Sequence, residues 1–166
     1  MEGVEKVYID TNIFIMAVEG EEATRAMLPS LFLVDNSNAP AFVTSELTFS
    51  ELVVKPYKER NDQLIDQYQN LILTSDWLKV VPVEMPILHY AAVLRAQYPS
   101  IKLPDAIHLS TAIGLSCSHF LTNDFGIRGE YNLTNTRYGV VKHARPLQII
   151  RPDAETLTFL LESLSA

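Results

Sequence analysis

Five short runs of β-branched and aromatic residues alternate with longer segments of helical periodicity along this chain, and that order constrains the fold more than any other feature. The runs fall at residues 7–9, 41–44, 80–83, 120–122 and 147–150. Helices are predicted at 13–18, 21–34, about 45–54, 61–73, 86–98, 104–115 and 153–164. Pro29 is expected to kink or break the second of these, and Pro56 to stop the third. Strands separated by helices cannot close as hairpins and must be joined by crossovers. The pattern therefore predicts an α/β fold, a three-layer α/β/α sandwich with a central parallel sheet. No repeat, low-complexity tract or linker interrupts residues 1–166, which read as one domain.

Ligands of such folds bind beyond the carboxyl ends of the strands, and four stretches place a carboxylate at a strand end or an early helical turn. They are Tyr8-Ile9-Asp10-Thr11-Asn12, residues 44–51 ending in Glu51, Leu103-Pro104-Asp105-Ala106-Ile107-His108, and Leu121-Thr122-Asn123-Asp124. Gathered by the fold, Asp10, Glu51, Asp105 and Asp124 would form an acidic pocket. All-oxygen donors of that kind suit Mg²⁺ or Mn²⁺.

Each acid also has a purely structural reading. Asp10 is a good N-cap. Glu51 stands four residues before Lys55, the spacing of a helical ion pair. Glu46 competes with Glu51, but five helical residues turn about 140°, so both cannot aim inward. Glu51 borders the apolar face of Leu47 and Val54, and Glu46 is expected in solvent. Asp105 in a first turn favours the helix dipole. His108, on the same face, reads as a core-edge histidine or as a proton-handling neighbour of Asp105. Asp124 before Phe125-Gly126 can be a turn residue.

Taken together, these motifs resemble PIN-domain ribonucleases, in a variant similar to the VapC-type toxins of bacterial toxin–antitoxin pairs. The resemblance covers most of residues 5–125, and the final strand and helix also fit. It implies Mg²⁺- or Mn²⁺-dependent endoribonuclease chemistry with Asp10, Glu51, Asp105 and Asp124 as metal-binding and catalytic acids. Asn12, Ser45 and Thr122 match supporting positions. A homodimer and neutralisation by a cognate antitoxin are further implications. One departure stands out: 22 residues rich in Gly, Asn and Arg separate Asp124 from Leu147.

Composition bounds the alternatives. Apolar residues make up 48% and charged residues 20%, the balance of a folded domain rather than a disordered one. A single cysteine, Cys117, permits no internal disulfide and no cysteine zinc site, which suits a reducing cytoplasm. The acidic start lacks the features of a signal peptide, and no segment reads as a membrane span. A net charge of −7 argues against a protein that merely coats nucleic acid. Residues 128–151 nevertheless carry a balance of +4, through Arg128, Arg137, Lys142, Arg145 and Arg151 against Glu130. That stretch can touch phosphate or be an ordinary solvated loop.

Two rivals to the nuclease reading remain at this stage. One is a catalytically silent scaffold that binds RNA or protein. The other is an aspartyl-phosphate phosphatase with Asp10 as nucleophile. The second wants an acid two residues on, where this chain has Asn12.

Overall fold

In the computed structural model, which describes residues 4–33 and 40–164, the central strand is β1 (Val7–Ile9). It pairs in parallel with β2 (Phe42–Ser45) on one side and β4 (His119–Leu121) on the other. β3 (Leu78–Val81) extends the β2 side. β8 (Leu147–Ile150) extends the β4 side in parallel, and β5 (Glu130–Tyr131) closes that edge antiparallel. The sheet order is β3-β2-β1-β4-β8-β5. It is therefore mostly parallel rather than wholly so, and the antiparallel edge arises inside the stretch expected to be loop.

The crossovers are helical. α1 (Thr11–Glu19) and α2 (Glu22–Leu31) join β1 to β2. α3 (Glu46–Leu52), α4 (Val54–Glu59) and α5 (Asp62–Leu71) lead to β3. α6 (Met85–Gln97) and α7 (Leu103–Gly114) carry the chain from β3 back across β1 to β4. α8 (Ala154–Leu164) ends the described chain. A separate two-stranded ladder, β6 (Thr134–Arg137) with β7 (Val140–His143), lies outside the main sheet.

Side chains alternate across the strands, and this splits the core in two. Val7, Ile9, Phe42 and Leu121 join Ile13, Phe14, Leu28, Tyr68, Leu157 and Leu160 on one face. Tyr8, Val43 and Phe120 join Leu94, Leu109, Ala112 and Leu147 on the other. Both faces are covered, so β1, β2 and β4 are buried throughout, as the continuous apolar runs require.

Several boundaries differ from expectation. Pro56 does not end helical structure. It sits in the first turn of α4, where a missing N–H costs nothing. Pro29 lies within α2, which closes two residues later at Leu31 rather than breaking at the proline. The expected end of that helix at Val34 lies outside the described residues, as do positions 1–3 of the acidic start. β3 lies two residues earlier than predicted, because Pro82 cannot donate to the ladder and the strand stops before it.

Progress from β1 to β2 to β3 runs toward one edge of the sheet, and the return to β4 reverses it. The crevice between the carboxyl ends of β1 and β4 is thus the topological switch point. Asp10 follows β1 directly, and Thr122 and Asp124 follow β4.

Candidate active site

Asp10 leaves β1 in extended conformation and caps α1 through a 2.8 Å bond from the Thr11 amide to Oδ1. The N-cap reading is therefore correct, but it uses one oxygen only. Oδ2 accepts from Asn12 Nδ2 at 2.6 Å and from Thr122 Oγ1 at 2.6 Å. Thr122 Oγ1 also accepts from Asn12 Nδ2 at 3.0 Å and from the Asp124 amide at 2.9 Å. Asn12 Oδ1 in turn accepts from the Asn123 amide at 2.8 Å. One hydroxyl and one amide side chain thereby lock the ends of β1 and β4 together around a buried carboxylate. Burial raises the Asp10 pKa, and the charge of Glu51 adds to this, against the lowering effects of His108, Thr122 and the Thr11 amide.

Glu51 projects from α3 into the same crevice. Its Oε2 accepts from Thr11 Oγ1 and, at 2.9 Å, from His108 Nε2. The helical pair with Lys55 does not form; Lys55 binds Glu19 at 2.7 Å instead. Burial pushes the Glu51 pKa up, but the hydrogen bonds from His108 and Thr11 outweigh it and leave the carboxyl below its ordinary value. Glu46, at the start of α3, is exposed as expected. Ser45, at the other matched supporting position, caps α3 through a 3.2 Å bond from the Leu47 amide.

His108 lies at the edge of the core and borders the acidic crevice. It is 2% exposed, and its ring spans Tyr8 Oη, 2.7 Å from Nδ1, and Glu51. A carboxylate only accepts, so Nε2 carries the proton that goes to Glu51. Burial first, and Asp10's charge second, hold the Tyr8 phenol well above its ordinary pKa, so Tyr8 keeps its proton and donates to Nδ1. Tyr8 and Thr11 were not singled out from sequence. Tyr8 reads as a strand hydrophobe and Thr11 as a helix opener, and neither role signals a partner across the fold.

Asp105 lies in the first turn of α7, half-buried, after Pro104. No hydrogen bond among the described residues holds it. Burial raises its pKa, and the charges of Asp124 and then Asp10 raise it further, against His108 and Lys102. Asp105 thus feels the charges of two acids from distant parts of the sequence. Asp124 is exposed, and its Oδ1 accepts from the Gly126 amide at 2.7 Å, so the turn reading of this residue also holds.

Arg151 corrects one expectation about the basic stretch. Its guanidinium donates to the carbonyls of Thr122 at 3.0 Å, Asp124 at 2.7 Å and Ile127, and it lies 4.9 Å from the Phe125 ring centroid. It builds the Asp124 loop rather than offering itself to phosphate. Arg145 is likewise engaged, at 2.5 Å from Glu5.

The chemistry of this donor set suits a hard divalent cation: carboxylate oxygens, mutual repulsion, and an Asp105 carboxyl left without a donor. Among the described residues, however, no three His, Cys, Asp or Glu side chains stand close enough together to hold a metal directly. Mg²⁺ keeps several of its waters, so a site of one or two direct carboxylates with water-bridged neighbours fits the arrangement.

Residues 7–129 match the family model of the PIN domain. Comparison with the sequences of curated proteins found no match. Among solved structures, a toxin–antitoxin complex from Klebsiella pneumoniae is 24% identical with a TM-score of 0.53, covering 72% of this chain and 87% of the other. VapBC2 from Rickettsia felis, bound to a DNA fragment from its promoter, is 19% identical with a TM-score of 0.54, covering 71% and 86%. VapC20 of Mycobacterium tuberculosis, a sarcin-ricin loop cleaving toxin, is 13% identical with a TM-score of 0.55, covering 69% and 87%. At these identities the likeness is one of fold.

Proposed function

Because the chain belongs to the PIN-domain family, we propose that it is a Mg²⁺- or Mn²⁺-dependent endoribonuclease and the toxin of a toxin–antitoxin pair. The observation that carries this is the hydrogen-bond network at the switch point between β1 and β4: Asp10 is bonded to Thr122 beside Asp124, and Glu51 to Thr11 and to His108, which follows Asp105 by three residues on α7. Carboxylates gathered in this way repel one another, and a bound cation relieves that repulsion.

Asp105 and Asp10 are the direct ligands in this reading, with Glu51 and Asp124 holding metal-bound water. A divalent ion there supplies neutralisation of the phosphate charge and a bound water of lowered pKa. The residues of the chain do the positioning. Asn12 and Thr122 fix the Asp10 carboxylate, and Thr11 and His108 fix Glu51. Glu51 stays ionised to lower pH than an ordinary glutamate, so it remains a hydrogen-bond acceptor for metal-bound water. An antitoxin partner belongs to the same proposal, motivated by the neighbours of similar fold that are toxin–antitoxin complexes; a homodimer is proposed on the family resemblance alone.

A second reading is a catalytically silent module that binds RNA or protein with the same scaffold. Cleavage assays separate the two. Purified Asp105→Asn is compared with the parent on RNA in Mg²⁺ and in Mn²⁺. The nuclease reading expects a loss greater than the roughly 10–100-fold typical of residues that only support a metal ligand. Undiminished cleavage removes Asp105 from the catalytic set, and a parent inert in both ions favours the silent module.

A further inference from the structure

The family match ends at residue 129, before the β6–β7 ribbon. The ribbon's turn is unusual. Arg137 pairs with Val140, leaving Tyr138 and Gly139 as a two-residue loop with φ of 52° and 76°. Positive φ at both positions defines a type I′ turn, which favours Asn-Gly. A bulky residue in the first position is an outlier that calls for an explanation. Tyr138 buries almost nothing in return: it is 91% exposed, and its ring lies 5.3 Å from the Arg137 guanidinium.

Charge and register say what the ribbon faces. Residues 131–152 contain no acid in a chain of net charge −7. Two of the arginines there, Arg145 and Arg151, are engaged with Glu5 and with loop carbonyls. The other two cations, Arg137 and Lys142, lie on the ribbon. Asn135 pairs with Lys142 and Arg137 with Val140, so both cations share one face. The exposed Val140 and Val141 point to opposite faces, because Val141 pairs with Thr136. The exposed valines are thus divided between the two faces of the ribbon rather than gathered on one.

The root of the ribbon is fixed to the C-terminal end of α6. The Thr134 amide donates to Gln97 Oε1 at 3.0 Å, and the Asn132 amide to Tyr98 Oη at 3.2 Å. Tyr131 packs edge-on against Tyr98, with ring centroids 5.1 Å apart. Gln97 and Tyr98 end α6, and α7, which carries Asp105, begins five residues after Tyr98 at Leu103.

We propose that the β6–β7 ribbon is a single-stranded RNA-binding arm, in which the Tyr138 ring stacks on a base and Arg137 and Lys142 contact flanking phosphates. An aromatic platform combined with cations is the usual means of holding an unpaired strand. The proposal rests on the ribonuclease reading for the identity of the strand, but its test does not depend on cleavage.

Affinity for a labelled, unstructured RNA is measured by fluorescence anisotropy in EDTA, on the Asp105→Asn background, over a salt series. Tyr138→Asn is the informative variant, since Asn suits the turn and removes only the ring. It is expected to weaken binding about 10-fold, the scale of one base–aromatic stack, while Tyr138→Phe binds as the parent does. The Arg137→Ala/Lys142→Ala double variant is expected to flatten the log–log salt slope by about 1.4, at roughly 0.7 per phosphate. Parent-like affinity in both Tyr138→Asn and the double variant overturns the proposal, as does a parent that binds no RNA. Variants that bind RNA normally but change the oligomeric state assign the ribbon to protein contact and overturn it as well. A chain that never cleaves RNA yet loses affinity in Tyr138→Asn upholds the arm while the nuclease reading falls; the reverse pattern separates them the other way.

Discussion

Tyr8 and His108, 100 residues apart in sequence, share a 2.7 Å hydrogen bond beneath the acidic crevice. The bond fixes the imidazole so that its other nitrogen reaches Glu51 at 2.9 Å. A strand residue of the core thereby sets the position of a carboxylate on a helix packed against the opposite face of the sheet.

Removing that hydroxyl tests the relay. Tyr8→Phe keeps the ring, which stacks on Phe120 at 4.9 Å between centroids, and leaves His108 Nδ1 without its donor in a buried position. An orphaned buried acceptor costs about 1–3 kcal/mol. Urea unfolding is expected to show a loss of that size, and cleavage to fall roughly 10–100-fold as Glu51 loses its orientation.

Thr122→Val probes the other end of the network. The hydroxyl donates to Asp10 Oδ2 and lowers its pKa against the upward push of burial. Without it, Asp10 holds its proton to higher pH. The acid limb of the pH–rate profile, which reports ionisation of essential carboxyls, is expected to move toward higher pH, with no corresponding move of the alkaline limb.

Asp105→Asn carries an expectation about stability as well as rate. The folded pKa of Asp105 is raised, so between the ordinary carboxylate value and the raised one the folded state binds more protons than the unfolded. Stability therefore falls as pH rises through that window, and the deficit persists at neutral pH. In metal-free buffer at pH 7 the Asn variant is expected to be the more stable, by no more than about 1 kcal/mol because the half-exposed group is screened. The difference should vanish below the ordinary carboxylate range. Saturating Mn²⁺ should reverse the order, since a ligand at 100 times its Kd adds about 2.7 kcal/mol to the parent alone. Thermal unfolding at two pH values, with and without Mn²⁺, checks all three points.

Arg151→Lys addresses the loop that presents Asp124. A lysine keeps the charge but cannot span the carbonyls of Thr122, Asp124 and Ile127 or lie flat near Phe125. The variant is expected to lose about 1–2 kcal/mol of stability and to become sensitive to limited proteolysis within residues 123–128, with the rest of the chain protected.

The mostly parallel sheet and the placement of Asp10 and Asp124 beyond the ends of the neighbouring strands β1 and β4 were legible because strand–helix alternation and the switch-point rule act on short sequence patterns. The ribbon and β5 were not legible. Residues 130–143 lack the alternation that marks strands, and the turn uses Tyr138-Gly139 where Asn-Gly would have signalled a hairpin. α4 was hidden because Pro56 reads equally as a stop or as a first-turn residue. At the site, Glu51 was separable from Glu46 by helical phase, yet its pairing with Thr11 and His108 rather than Lys55 depends on contacts between elements. Arg151 looked available for phosphate because its acceptors are backbone carbonyls, which leave no trace in the sequence.

The central claim is that Asp10, Glu51, Asp105 and Asp124 surround one divalent-ion site at the end of β1 and β4. Crystals grown with Mn²⁺ and measured at the manganese absorption edge address it directly. The expected result is an anomalous peak bonded to Asp105 and Asp10 that disappears in Asp105→Asn. An empty crevice at a Mn²⁺ concentration that supports cleavage, or a peak unaffected by that substitution, would contradict the account.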